Sequence, residues 1–348
     1  MNLRFEAEKK FNNFTFNASF ETNVKVTGIL GASGSGKSMT LNMLAGLISP
    51  DRGKIVLDGR VLFDEEKKIN LKPQERKTGF LFQNYALFPN LTAAQNISFG
   101  LNGSTAKKEE IVANMLKYVN LANYGNMYPS QLSGGQKQRV ALARILAVEP
   151  KILMLDEPFS ALDEYLRTQM VSRMLETING LDIPVLFVSH SRDEIFRLCD
   201  DVIIMSEGRL ISHSNKVETF DAPSSYEALL LTGCKNISAA KKAAENQVWA
   251  ADWNIILETD KPVRNDVKFV GVRAHNIRFG TGAGKNIFRC RVSRVFEENF
   301  EMIVMADILE QKNANEAMIR LSKKKWAENL AANETNFISI EPKNILCV

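Results

Sequence analysis

The stretch VKVTGILGASGSGKSMTLNMLAGL, residues 24–47, decides the fold. VKVTGIL (24–30) is a short, apolar, β-branched run that leads into glycines, and SMTLNMLAGL (38–47) then reads as a helix stopped near Gly46. Strand, glycine loop and helix in that order open an α/β domain. Gly31, Gly36, Lys37 and Ser38 meet the spacing G-x-x-x-x-G-K-[ST], with Ala32, Ser33, Gly34 and Ser35 between them. Glycines so placed let backbone N–H groups curl round phosphates at a helix start, whose dipole favours anions. Lys37 is then expected to neutralise the β and γ phosphates, and the Ser38 hydroxyl to hold Mg2+.

The strand pattern recurs at KILML (151–155) and IPVLFVSH (183–190), near-continuous apolar runs typical of strands buried on both faces of a parallel sheet. In ILMLDEP, Asp156 stands where such a strand ends, the place where open α/β sheets bind ligands, and is expected to reach Mg2+ mostly through water. Glu157 follows, placed to orient and deprotonate an attacking water. Gln83 in GFLFQN and His190 in VLFVSHS also end apolar runs. Taken singly, each of these polar residues is an ordinary hydrogen-bonded or solvated strand end. Beside the glycine loop they form a hydrolase site, with His190 contacting the γ-phosphate and Gln83 reaching Mg2+ and the lytic water.

A second glycine loop occurs at LSGGQ, 132–136. Ser133 and Gln136 form an S-x-x-Q capping box, so a helix should begin at Gly134 and run through QKQRVALARILA to a stop before Pro150. Gly134 and Gly135 in its first turn cost ~1 kcal/mol each relative to alanine. They make sense where something bulky and anionic must approach the backbone amides; a capped surface helix with a flexible start is the other reading.

With 348 residues, 45% hydrophobic and 24% charged, the chain is long enough for two globular domains. No apolar run approaches the roughly 18 residues that span a bilayer, and the start, MNLRFEAEKKF, lacks a signal-peptide core, so a cytoplasmic location is expected. A formal charge of +4 over this length is too weak to argue for nucleic acid, and no dense Lys/Arg block occurs. Cys199, Cys234, Cys290 and Cys347 stand far apart with no CxxC pair, which suits isolated thiols. The α/β domain is placed at 1–235, with a helical side lobe over about 84–131. Beyond Lys235, runs such as VKFVGVRAH, NIFRCRVSRVF, MIVMADIL and FISIEP, with one helical candidate in SKKKWAENL, predict a small β-barrel or sandwich over 236–348. AAKKAAENQ (239–247) reads as a linker or short helix.

GASGSGKS, the FQ at 82–83, LSGGQ, ILMLDEP, SALD at 160–163 and His190 occur in the order seen in ATP-binding cassette (ABC) ATPases, and the resemblance covers residues 1 to about 235. It implies a P-loop ABC nucleotide-binding fold that uses ATP and Mg2+. It also implies a head-to-tail dimer in which Ser133, Gly134, Gly135 and Gln136 serve the ATP held by the partner's lysine loop, with Asp163 coupling the two sites at the interface. The family stacks adenine on an upstream aromatic residue, for which Phe11 is the first candidate and Phe14 the second; both as core residues is the alternative. Met39 departs from a Thr common among relatives, so a backbone N–H is expected to serve there.

Single-cassette chains with an added C-terminal β domain resemble the ATPase subunits of bacterial importers. The resemblance implies docking at the cytoplasmic face beneath integral membrane permease subunits, an indirect link to a substrate-binding protein, and no nucleic-acid partner. NYALFPNLT (84–92) would line the docking groove, with Tyr85, Leu87 and Phe88 as the patch or else buried in the lobe. GRVLFD (59–64), PQER (73–76), LTGCKNIS (231–238) and VGVRAH (270–275) look most like the molybdate branch. Importers of sulfate, tungstate or another substrate, and a non-transport ABC protein, stand as alternatives. GKNIFRCRV (284–292) and IRLSKKKWAENL (319–330) resemble a small domain that binds molybdate or related oxyanions, where Lys285 and Asn286 would act. Binders often read Ser-Ala-Arg-Asn where this chain has Ala283, Gly284, Lys285 and Asn286, and a structural or dimerising domain is the other reading.

Overall fold

The structure, a computed structural model, describes residues 2–12, 14–160, 162–280, 284–309, 316–331 and 336–348; Ala161 of SALD and Ala283 lie outside them. The chain divides into two compact units, Met1–Lys216 and Val217–Val348. That division precedes the change of texture near 235. Between the two points lie helices Lys216–Asp221 and Tyr226–Leu231. Arg273 of the second unit donates to the carbonyls of Phe220 and Thr232, and so ties these helices to the strands that follow.

In the first unit the elements are β1 (Leu3–Phe11), β2 (Phe14–Thr22), β3 (Val26–Leu30), α1 (Lys37–Ala45), β4 (Arg52–Leu57), β5 (Arg60–Asp64), β6 (Ile69–Asn70), β7 (Thr78–Leu81), α2 (Ala93–Ser98), α3 (Thr105–Tyr118), α4 (Gly134–Leu146), β8 (Ile152–Asp156), α5 (Glu164–Asn179), β9 (Val185–Ser189), α6 (Arg192–Leu198), β10 (Asp201–Ser206) and β11 (Arg209–Asn215). All the strands join one sheet in the order β6-β5-β4-β1-β2-β11-β10-β3-β9-β8-β7. From β10 to β7 neighbours run parallel. β3 and β9 are buried throughout, as expected for strands covered on both faces. The wing from β6 to β2 is antiparallel, and in β1 and β2 buried residues alternate with exposed ones. Leu3, Phe5, Phe16 and Ile55 from that wing share a core with Leu41 and Leu44 of α1 and Met154 of β8.

The order brings the C-terminal ends of β3, β9 and β8 side by side, with β7 beyond, so the loops after all four emerge on one edge. α2, α3 and α4 pack round Ile97, Leu116, Leu121 and Val140 as a separate helical cluster. α4 thus completes a core whose other members fall mostly within 84–131.

α1, which starts at the lysine loop, is pinned at its far end. Gly36 and Gly46 flank it with φ of 102° and 79°, both in the left-handed region that glycine tolerates. Arg76, only 1% exposed, lies against Gly46 and donates to the carbonyls of Met43 (2.7 Å), Leu44 (3.0 Å) and Leu71 (2.9 Å) and to Asn70 Oδ1 (2.9 Å). Its charge meets the negative end of the helix dipole, which supplies the compensation a carboxylate would otherwise give.

The second unit holds α7 (Lys216–Asp221), α8 (Tyr226–Leu231), β12 (Asn236–Ala244), β13 (Gln247–Ala250), β14 (Ile255–Glu258), β15 (Phe269–Val272), β16 (Ile277–Phe279), β17 (Ile287–Glu297), β18 (Glu301–Ile308), β19 (Ala317–Ser322), α9 (Lys323–Ala331), β20 (Phe337–Ile340) and β21 (Ile345–Cys347). Two five-stranded sheets, β14-β13-β12-β15-β21 and β16-β20-β17-β18-β19, enclose one core that includes Val248, Val270, Val304 and Ile338, giving a small, nearly closed barrel. AAKKAAENQ is neither linker nor helix. Its alanines and lysines favour a helix in isolation, yet β12 pairs with β13 and β15, and those ladders outweigh the local preference.

Arg76→Ala is expected to destabilise the protein by roughly 3 kcal/mol, since several charge-assisted hydrogen bonds are lost and helix-end carbonyls are left buried. Denaturant unfolding followed by circular dichroism measures this. An unchanged midpoint would show that α1 needs no such clamp.

Candidate functional site

The loop after β3 is built by close approach. A Cβ on Gly31 would lie 2.5 Å from the Met205 carbonyl oxygen, whereas one on Gly34 (φ 79°) would meet nothing. Gly36 packs over Phe16, and the Gly208 N–H donates to the Ser35 carbonyl at 3.0 Å, so β2 and the β10–β11 turn back the loop. Ser35 is buried, and its Oγ has no hydrogen-bond partner. Ala32, Ser33, Gly34 and Ser38 are exposed. The loop therefore offers a backbone cradle open to solvent on one side.

Lys37, 4% exposed, turns into this loop: Nζ donates to the carbonyls of Gly31 (3.0 Å) and Ala32 (2.9 Å) and lies 3.5 Å from Glu157 Oε1. Ser38 Oγ donates to Asp156 Oδ1 at 2.8 Å. Burial pushes the Asp156 carboxyl above its usual range, the Ser38 hydrogen bond opposes that shift, and neighbouring Glu157 adds to it. Glu157, with φ 43°, donates its N–H to the Val188 carbonyl at 3.0 Å, and its Oε2 is 3.1 Å from His190 Nδ1. Gln83 Nε2 donates to Ser160 Oγ, which in turn donates to the Glu157 carbonyl, each at 2.9 Å. Lys37, Glu157, His190, Ser160 and Gln83 thus form one connected set, and the Ser38–Asp156 pair adjoins it in sequence, Ser38 next to Lys37 at the start of α1 and Asp156 next to Glu157 at the end of β8.

The remaining expected residues sit elsewhere. Ser133 caps α4: its Oγ accepts from Gln136 N–H (3.3 Å), and Gln136 Oε1 accepts from Ser133 N–H (2.8 Å), so the capping box forms as expected. Gly134 is exposed and Gly135 half-buried, the latter close to Met170. Asp163 is exposed and caps α5 through Leu166 N–H at 2.9 Å. Met39 is half-buried against the core, as is Phe14. Phe11 is 37% exposed at the end of β1, with the Lys9 ammonium 5.7 Å from its ring centroid. In the second unit Lys285 Nζ is 2.7 Å from Glu258 Oε2, and the Asn286 amide bonds both the N–H and the carbonyl of Glu258, so the pair braces β14.

Phe88 and Phe99 stand 37% and 63% exposed with ring centroids 4.3 Å apart, and the Arg144 guanidinium lies 5.4 Å from the Phe88 centroid. Arg144 also donates to the carbonyls of Tyr85 and Ala86, while Tyr85 and Leu87 are half-buried. Of the residues in NYALFPNLT, Phe88 is thus the large apolar one that faces solvent, and Phe99 joins it from outside the stretch.

Two contributors escaped the sequence reading. Ser160 lies within SALD, quoted above only for its order; a hydroxyl three residues after Glu157 was the available signal. Glu194 is buried under His190's strand end, accepting from Ser189 Oγ at 2.6 Å, and S-x-x-E at 191–194 marked it as a helix start. Burial raises the Glu194 carboxyl, with the Ser189 bond opposing.

The ABC transporter family model matches residues 15–160. A sulfate/thiosulfate import ATP-binding protein, CysA of Thermosynechococcus vestitus, is 35% identical over 306 residues, covering 87% of this chain and 84% of that protein. The chain belongs to the ABC transporter family. It is an ATP-binding, ATP-hydrolysing subunit of an ABC importer. A molybdenum import ATP-binding protein, ModC of Haemophilus ducreyi, is 43% identical over 188 residues, which is 54% of this chain and 52% of that protein. Among solved structures, a dimeric ATP-binding cassette in a post-hydrolysis state bound to ADP and Pi is similar at a TM-score of 0.51 and 27% identity, over 62% of this chain and 99% of that one. No helix among the described residues is long and apolar enough to cross a membrane.

Glu194→Gln should raise the thermal unfolding midpoint at neutral pH. A carboxyl whose folded-state value is raised stabilises the fold only while protonated, so wild type loses that contribution as pH rises through the raised value. The advantage of Gln should vanish as pH falls into the ordinary range of a free Glu. Melting curves across pH check this; a gain that persists in acid would point to packing instead.

Proposed function

We propose that this chain is the ATPase subunit of an importer for sulfate or thiosulfate. The observation that carries the reading is the match to the Thermosynechococcus vestitus protein, whose 306 aligned residues require both units of this chain. The molybdate expectation keeps support from the Haemophilus ducreyi relative, which matches over 54% of the chain. Tetrahedral oxyanions are common to both readings.

In the proposed site, loop amides of residues 31–38 cradle the ATP phosphates, Lys37 neutralises their β and γ charge, and Phe11 stacks on adenine. Phe11 is preferred to Phe14 because its ring is the exposed one of the two. Ser38, Asp156 and Gln83 supply a hydroxyl, a carboxylate and an amide oxygen, all hard donors that suit Mg2+, a metal usually bound by one or two carboxylates plus phosphate oxygens. When bound, Mg2+ supplies charge neutralisation at the phosphates. Glu157 Oε1 or Oε2 takes a proton from the attacking water, while His190 steadies the carboxylate through Nδ1 and contacts the γ-phosphate through Nε2.

Ser133, Gly134, Gly135 and Gln136 begin a capped helix outside the connected set, as suits a group that serves another copy's ATP in a head-to-tail dimer. Asp163, exposed at the start of α5, links the two sites across that interface. The Phe88–Phe99 patch receives an integral membrane permease subunit at the cytoplasmic face, and a substrate-binding protein acts indirectly. Lys285 and Asn286 hold an oxyanion only if Glu258 releases the lysine.

Glu157→Gln should bind ATP yet turn over roughly a hundredfold more slowly or worse; near-normal hydrolysis would remove Glu157 from its role. Ser133→Ala and Lys37→Ala, each impaired alone, should regain one working site when mixed as heterodimers, and no recovery would exclude use in trans. Uptake by the complex reconstituted with its permease should be competed most strongly by sulfate or thiosulfate, whereas dominant competition by molybdate would reinstate that substrate.

A further inference from the structure

Ser160 stands between two segments of the site with a hydroxyl that has a single proton. Its Oγ lies 2.9 Å from the Glu157 carbonyl oxygen and 2.9 Å from Gln83 Nε2. A carbonyl oxygen can only accept, so the proton of Ser160 is committed to Glu157. Only lone pairs remain on Oγ, and they can take only a donor. Gln83 must therefore turn its NH2 group to Ser160, which leaves the amide oxygen as the free end. The Ser160 N–H donates to the same Glu157 carbonyl at 3.2 Å, so two donors hold the peptide that follows Glu157. Glu157 itself has φ 43°, a conformation that a non-glycine residue keeps only where its surroundings impose it.

We propose that Ser160 is a positioning residue that fixes the Gln83 side chain with its oxygen, not its NH2, available as a donor to Mg2+, and that ties this orientation to the backbone of Glu157. The inference rests on the role given to Gln83 above. An amide NH2 has no lone pair suited to a hard cation, so a flipped Gln83 would be silent as a ligand.

The test titrates free Mg2+ into the full chain saturated with ATP, reading metal binding by calorimetry and, in parallel, ATP hydrolysis, for wild type, Ser160→Ala, Ser160→Thr, Gln83→Ala and the Ser160→Ala/Gln83→Ala pair. Ser160→Ala should raise the free Mg2+ concentration for half-maximal binding, and with it that for half-maximal rate, about fivefold, the value of roughly one hydrogen bond, with a much smaller change in kcat at saturating Mg2+. Ser160→Thr keeps the hydroxyl and should restore the wild-type requirement. The double variant should be no worse than Gln83→Ala, because both substitutions remove one interaction. If Gln83→Ala shifts the Mg2+ requirement and Ser160→Ala does not, or if their effects simply add, the positioning role is overturned while Gln83 keeps its own. If Gln83→Ala leaves the requirement unchanged, the role of Gln83 falls and the inference with it. Equal loss in Ser160→Ala and Ser160→Thr would mean that the position is only sterically sensitive.

Discussion

A buried ammonium sets the terms for the first unit. Lys37 is 4% exposed, and a charge so placed must be met by partners or it would not stay charged. Two carbonyls of its own loop and the Glu157 carboxylate meet it. Those partners come from the ends of β3 and β8, which are held one strand apart by β9. The lysine therefore depends on a parallel sheet in that strand order, and the loop on glycines that let backbone and side chains close round it.

The same edge of the sheet gathers the other polar groups. Asp156 and Glu157 follow β8, His190 follows β9, and Gln83 lies just past β7. Each is weakly specified by its own segment. Their contacts create the specification: Ser38 with Asp156, His190 with Glu157, and Ser160 joining Gln83 to the Glu157 backbone. Arg76 belongs to this logic at a distance, because it fixes the end of the helix that begins at the lysine loop.

The importer assignment and the substrate stand on different ground. ATP chemistry is carried by residues in the first unit, where the glycine loop and strand ends are dictated by phosphate. Substrate identity leaves little trace there, since an ATPase subunit need not touch the transported ion. The molybdate-like stretches were short and spread through the chain, whereas similarity to a sulfate/thiosulfate importer subunit extends over 306 residues. In the second unit the residues expected at an oxyanion lie just before β17 and are engaged with Glu258 at the end of β14, a long-range pairing that local sequence does not announce.

By itself the sequence determined the glycine loop, the helix it starts, the buried parallel strands, the capping box at Ser133 and the polar residues at the strand ends. These are local signals: spacing, periodicity and cap chemistry act within a few residues and survive without tertiary context. The alternation of β1 and β2 is as local a signal, although that hairpin is not among the elements expected from the sequence. Tertiary structure alone decided what long-range pairing controls. It made 239–244 of AAKKAAENQ the end of β12, paired with β13 across a turn at 245–246, joined the helices before residue 235 to the second unit through Arg273, and sent Phe14 inward while Phe11 stayed exposed. It also brought Ser160 between Gln83 and Glu157. A hydroxyl's partners are set by which backbone carbonyl and which side chain arrive beside it, and only the packed sheet brings those groups to one point.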